Sequence, residues 1–135
     1  MGLDYGTVRI GVALSDGLRL AAHPHEVIRS DDPQRDERLR EIVVEYEVTG
    51  IVVGLPTSLD GSETTSAVGA RRLAAHLESE LDLPVVLSDE RFTSKVAEAA
   101  LLAADTSRAK RRQAIDKVAA AVMLQGYLDR TRLAP

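Results

Sequence analysis

Gly50-Ile51-Val52-Val53-Gly54 contains no polar residue. An apolar run this short, with no alternation, suits a strand covered on both faces, as in sheets flanked by helices. Val85-Val86-Leu87 repeats the pattern behind Pro84. Around these runs the apolar residues take helical spacing. Leu39, Ile42, Val43 and Tyr46 mark one stripe; Ala70, Leu73, Ala74, Leu77 and Leu81 mark a second. Val96, Ala97, Ala100, Leu101 and Ala104 mark a third, and Ile115, Val118, Ala119 and Val122 a last helix ending near Tyr127. Ahead of them stand a very short apolar start at Met1–Leu3, a strand over Arg9–Leu14 after a turn at Gly6, and an edge strand at Val27-Ile28. Ser30-Asp31-Asp32-Pro33 predicts a helix start, with Asp32 as cap and Pro33 in the first turn. Leu55–Gly61 reads as a loop. The predicted order is β-β-β-α-β-α-β-α-α. It belongs to the α/β class, with a five-stranded mixed sheet and helices on both faces. The chain's 135 residues suit one domain, 1–135.

Composition removes several kinds of chemistry. With no cysteine there is no disulfide framework, thiolate zinc site or thiol nucleophile. His23, His25 and His76 form no zinc-enzyme spacing. His23 and His25 flank Pro24 in an expected loop, and His76 falls on the exposed side of a helix, so none is assigned a role. No apolar run approaches the roughly 20 residues of a membrane span, and no signal peptide is evident, so a cytoplasmic protein is expected. The formal net charge of −4 argues against a general, salt-driven coat on nucleic acid. The local balance differs. Acids dominate Arg29–Glu47 and bases dominate Asp105–Lys117, where Arg108, Lys110, Arg111 and Arg112 precede Asp116. That basic stretch is expected as a loop running into a helix start, either a solvated charged face or a phosphate cradle.

In a sheet of this kind ligands sit beyond the carboxyl ends of the parallel strands. Asp4 and Glu90 stand at two such ends, and Asp116 lies about one turn into the final helix. Taken singly, each is the kind of acid that forms turns or faces solvent. Taken together, carboxylates that converge repel unless a divalent cation neutralises them. Hard oxygen ligands suit Mg²⁺ or Mn²⁺. Two such ions can clamp the attacking and leaving oxygens of a phosphodiester without a covalent nucleophile. The few aromatics (Tyr5, Tyr46, Phe92, Tyr127) leave little for base stacking, so recognition of backbone and shape is expected.

Four blocks make the pattern specific. They are Gly2-Leu3-Asp4-Tyr5-Gly6-Thr7 with Arg9-Ile10-Gly11-Val12-Ala13 and Ser15-Asp16; Val53-Gly54-Leu55-Pro56 with Asp60-Gly61-Ser62-Glu63; Asp89-Glu90-Arg91-Phe92-Thr93-Ser94; and Ile115-Asp116-Lys117 with Ala119-Ala120, Leu124-Gln125 and Tyr127-Leu128. In this order, over nearly the whole chain, they resemble the YqgF/RuvX family, the Holliday junction resolvase-like proteins also described as pre-16S rRNA nucleases. The resemblance implies an RNase H-like (RuvC-like) fold and metal-dependent hydrolysis of phosphodiester bonds in structured RNA or branched DNA, by a monomer or homodimer using Mg²⁺ or Mn²⁺. Carried over residue by residue, it implies Asp4, Glu90 and Asp116 as catalytic metal ligands, with Asp89 as a neighbour. Gly6 and Thr7 would shape the turn beside Asp4. Arg9 and Arg91 would either contact phosphate or pin the acids, and Arg108, Lys110, Arg111 and Arg112 would bind nucleic acid.

Two departures accompany the likeness. Family members generally carry several residues before the opening glycine, whereas here Met1 takes the place of strand interior. RuvC resolvases carry an acid near the end of the fourth strand, where this chain has Gly54-Leu55-Pro56 and its nearest acid, Asp60, lies in a loop. Glu90 must then supply that carboxylate. Two other functions compete with the nuclease. Asp4-Tyr5-Gly6-Thr7 also resembles the phosphate loop of sugar kinases and actin-like ATPases, although no second nucleotide-binding domain is evident. A non-catalytic RNA-processing or transcription factor would keep the acids as a weak metal site.

Overall fold

A computed structural model of the chain describes residues 1–56, 64–89 and 108–133. The elements are β1 (Gly2–Tyr5), β2 (Arg9–Ser15), β3 (Ala22–Arg29), α1 (Arg35–Glu45), β4 (Ile51–Leu55), α2 (Thr65–Leu81), β5 (Val85–Asp89) and α3 (Arg108–Leu133). The helix expected over Val96–Ala104 lies outside the described residues, as does the end of the loop holding Asp60. The five strands form one sheet in the order β3-β2-β1-β4-β5. β2 runs antiparallel to β1 and β3, while β1, β4 and β5 are mutually parallel. This is the expected mixed sheet, with β1 at its centre.

The sheet's two faces differ in side-chain size, and that difference follows the alternation of each strand. Leu3, Ile10, Val12, Ile51 and Val53 point to one face, where they pack with Leu39 and Ile42 of α1 and with Ala70, Leu73, Ala74 and Leu77 of α2. The other face carries Gly2 and Asp4 from β1, Gly11 and Ala13 from β2, and Val52 and Gly54 from β4. Its core is α3, through Ala120, Ala121, Met123, Leu124 and Leu128. Small residues let the helix backbone approach closely. A Cβ on Gly2 would stand 2.9 Å from the Cβ of Leu124. Ile51–Gly54 is buried throughout, as an unalternating run requires. β1 is short yet held on both sides. Met1 is buried and its carbonyl accepts the Val52 N–H at 2.8 Å.

Three local expectations are corrected. α1 begins at Arg35, and Gln34, with no side-chain capping bond, takes the cap position expected of Asp32. The Asp32 carboxylate instead accepts the Gln34 N–H at 2.9 Å, and its carbonyl accepts the Arg35 N–H at 3.0 Å. An Asp bonded to its own downstream backbone closes a turn and competes with the helix it was expected to start. His23 and His25 lie in β3 rather than a loop, since β3 extends over Ala22–Arg29. Pro24 is tolerated there because β3 is an edge strand, and the His25 ring meets Tyr46 edge-on at 5.0 Å. α3 continues past Tyr127 to Leu133 and already includes Arg108–Arg112, so Asp116 sits two turns in rather than one. The Arg, Lys, Gln and Ala of that stretch are strong helix formers, and no Gly or Pro interrupts them before Gly126. His76, given no role, joins α2 to α1.

That last contact predicts a pH response. His76 Nε2 lies 2.6 Å from Asp36 Oδ2, and Arg35 Nε donates to Asp36 Oδ1 at 3.1 Å. Burial pushes the Asp36 carboxyl up, but the hydrogen bonds from His76 and Arg35 outweigh it and leave the group below its ordinary value. A carboxyl lowered on folding stabilises the native state above its unfolded value and loses that contribution as pH falls through its native value. Below about pH 4 the wild type is therefore expected to lose more stability than Asp36→Asn protein. The difference should stay under about 1 kcal/mol, because the pair is more than a third exposed and solvent screens it. Chemical denaturation across this range checks it, and superimposable pH profiles would contradict it.

A second prediction concerns Gln125, which locks α3 to the β2–β3 turn. Its Oε1 accepts the Ala22 N–H at 2.8 Å, and its Nε2 donates to the Leu20 carbonyl at 2.9 Å. Gln125→Leu keeps the volume but takes the partner from the part-buried Ala22 N–H, while water can reach the exposed Leu20 carbonyl, so a loss of about 1 kcal/mol is expected in urea unfolding. A midpoint equal to that of the wild type would show that water replaces both bonds.

Candidate metal and nucleic-acid site

Asp4 occupies the carboxyl-terminal half of β1 on the α3 face, and is half-buried. In register it faces Gly11 on β2 and Gly54 on β4. Neither neighbour has a side chain, so the strands leave space on both sides of the carboxylate. The loop after β1 turns tightly: Gly6 N–H donates to the Arg9 carbonyl at 2.9 Å, and a Cβ on Gly6 would stand 2.7 Å from that oxygen. This turn places Arg9 at the start of β2, at the same end of the sheet as Asp4.

α3 reaches the site through Gly11. A Cβ on Gly11 would come within 2.0 Å of the Asp116 carbonyl oxygen and 2.5 Å of its carbon. The helix backbone at Asp116 therefore rests directly on the strand residue beside Asp4. Sequence reasoning missed Gly11 as a site residue. Its signal was present in Ile10-Gly11-Val12-Ala13, where large residues alternate with small ones. Arg9 Nε donates to Asp116 Oδ2 at 2.6 Å, with the two side chains 31% and 25% exposed. Of the two roles expected for Arg9, the one seen here is the contact with an acid.

The other expected site residues divide as follows. Glu90 and Arg91 lie outside the described residues. Arg108, Lys110, Arg111 and Arg112 occupy the first turns of α3. The helix runs from this end, through Asp116 over Gly11, toward Leu124 over Gly2. The basic residues thus precede Asp116 on the side of the strands' carboxyl ends. Thr7 is exposed in the turn. Asp89 is exposed, and strand alternation sends it to the face opposite Ser88. Ser88 shares the α3 face and accepts a hydrogen bond from Arg130 Nη2 at 2.8 Å. A cavity lined by Met1, Gly50, Val86, Leu124 and Tyr127 lies at the opposite ends of the strands, away from Asp4.

Among the described residues no three His, Cys, Asp or Glu side chains gather closely enough to hold a metal ion. The described residues bring two carboxylates to one end of one face. Their oxygen donors and the side-chain-free neighbours of Asp4 fit a hard divalent cation that keeps part of its water shell. Among the described residues no helix is long and apolar enough to cross a membrane.

A family model described as RuvX, Holliday junction resolvase, matches residues 1–130. A Geobacillus kaustophilus protein named "Putative pre-16S rRNA nuclease" is 50% identical over 135 residues, covering 98% of each chain. A protein of the same name from Geobacillus sp. strain WCH70 is 49% identical over 132 residues, covering 96% of each. The solved structure of Thermus thermophilus RuvC in complex with a Holliday junction substrate matches with a TM-score of 0.54 at 19% identity, covering 98% of this chain and 95% of that one. Fowlpox virus resolvase with substrate Holliday junction DNA matches with a TM-score of 0.55 at 9% identity, covering 98% and 97%. At such identities the likeness is one of fold, and it agrees with the RNase H-like sheet described above. Matched through residue 130 and half identical to a relative it spans almost end to end, the chain belongs to the RuvX family.

Proposed function

We propose that this chain, acting as one nuclease domain over 1–135, is a divalent-metal-dependent endonuclease of structured nucleic acid. Its first substrate class is the 5′ region of precursor 16S ribosomal RNA, and its second is the four-way DNA junction. The observation that carries this reading is the convergence of Asp4 and Asp116 across Gly11, from points more than 100 residues apart. Family membership and the names of its relatives support it. Asp4, Asp116 and Glu90 would hold Mg²⁺ or Mn²⁺, which when bound would supply a water of lowered pKa and positive charge for the leaving oxygen. The chain's own groups position the nucleic acid. Arg91 and the basic first turns of α3, with Arg108, Lys110, Arg111 and Arg112, contact phosphates, and the helix N-terminus adds to their field. With few aromatic platforms, these contacts follow backbone shape rather than base identity. The protein works in the cytoplasm as a monomer or homodimer.

Purified protein with Mg²⁺ or Mn²⁺ is to be incubated with labelled precursor 16S rRNA fragments, four-way junctions and plain duplexes. Cleavage of a structured substrate that chelator abolishes and Asp116→Asn removes is the expected result. Binding without cleavage under every metal condition would replace the enzyme with a non-catalytic RNA-processing factor.

A further inference from the structure

Arg9 and Asp116 pair across 107 positions of sequence, at 2.6 Å and only partly exposed. Arg9 uses Nε alone, and its two Nη groups make no hydrogen bond among the described residues. The Gly6–Arg9 turn holds Arg9 at the end of the sheet where Asp4 lies. The three groups sum to one negative charge with Arg9 and to two without it. A cation that draws on both carboxylates must take Asp116 from the guanidinium or share it, and the guanidinium repels it either way.

We propose that Arg9 is a built-in counter-ion competing with the divalent cation for Asp116. It neutralises the acid in the metal-free protein and sets the metal affinity weaker than the carboxylates alone would give. It is thus a positioning residue, acting on the metal through Asp116. The proposal rests on the reading that Asp4 and Asp116 hold a metal ion. A group that merely braced the site would have the opposite effect, because its loss would loosen the ligands and weaken binding.

The test is titration of chelator-treated protein with Mn²⁺, followed by calorimetry, alongside thermal unfolding with and without Mn²⁺. Arg9→Gln is expected to bind Mn²⁺ about tenfold more tightly than wild type, as removing one like charge a few ångströms away predicts. Its metal-free form is expected to melt lower and its metal-induced rise in melting temperature to be larger. Arg9→Lys, keeping the charge, should stay near wild type. Adding Asp116→Asn to Arg9→Gln should cancel the gain. Unchanged or weaker Mn²⁺ binding by Arg9→Gln protein that melts cooperatively overturns the proposal. The underlying metal-site reading is tested separately by Asp4→Asn, which must lower Mn²⁺ affinity with Arg9 intact. Absence of Mn²⁺ binding by both wild type and Arg9→Gln ends both.

Discussion

Asp4→Asn is expected to cut the cleavage rate by about 10³-fold or more while leaving the fold in place, a loss of roughly 4 kcal/mol in the activation barrier. Asn has nearly the shape of Asp, so β1 keeps its pairing with Gly11 and Gly54, and Leu3 and Tyr5 keep their packing. What changes is one charge. A neutral amide oxygen is a weak ligand for a hard divalent ion, and the remaining carboxylates cannot compensate for a charge removed from the centre of the sheet. Melting temperature should stay within a few degrees of wild type, since no apolar contact is deleted. Single-turnover cleavage under saturating Mn²⁺, with binding measured on the same labelled RNA, separates chemistry from affinity. Undiminished cleavage by a homogeneous preparation of the variant would remove Asp4 from the active site, and the metal-site reading with it.

Gly11→Ala is expected to damage stability and activity together. In an ordinary strand this exchange is mildly favourable, because glycine pays the larger backbone entropy. Here the added methyl would lie 2.0 Å from a helix carbonyl oxygen, closer than any tolerated contact. Backbone cannot rotate away as a side chain can, so α3 must lift from the sheet. Overpacking of this kind costs about 1–3 kcal/mol. Lifting the helix also moves Asp116 away from Asp4, and a displacement of about 1 Å at a reacting centre costs on the order of 10²-fold in rate. Gly17→Ala is the control. Nothing stands within 4 Å of the Cβ it would add, so it should leave both properties near wild type. Urea unfolding and Mn²⁺-dependent cleavage, run on both variants, provide the comparison. A Gly11→Ala protein as stable and as active as wild type would show that α3 does not rest on Gly11 in solution.

The two variants mark where local and long-range information part. Asp4 was legible because a short apolar run ending in an acid and a glycine turn is a strand end, and strand ends in such sheets carry ligands. Asp116 was legible through the family-like block around it, although its helix was placed one turn short. The N-terminal turns of α3 were misread as loop because their charge masked a composition of good helix formers. Asp32 was misread as a cap because its side chain has two local uses, and the turn prevailed. The Arg9–Asp116 pair, the His76–Asp36 bridge and the seat of α3 on Gly11 lie beyond any local reading.

By itself the sequence determined the strands and the described helices, their order and the absence of any thiol, and it made Asp4, Glu90 and Asp116 candidates for a cation. Those depend on side-chain spacing and turn chemistry, which act over a few residues. Only the tertiary structure decided which face each acid occupies beside which neighbours, and that Arg9 takes Asp116. Those outcomes follow from sheet register and from how closely a helix can approach a strand of small residues. Both are settled by contacts between segments that are distant along the chain.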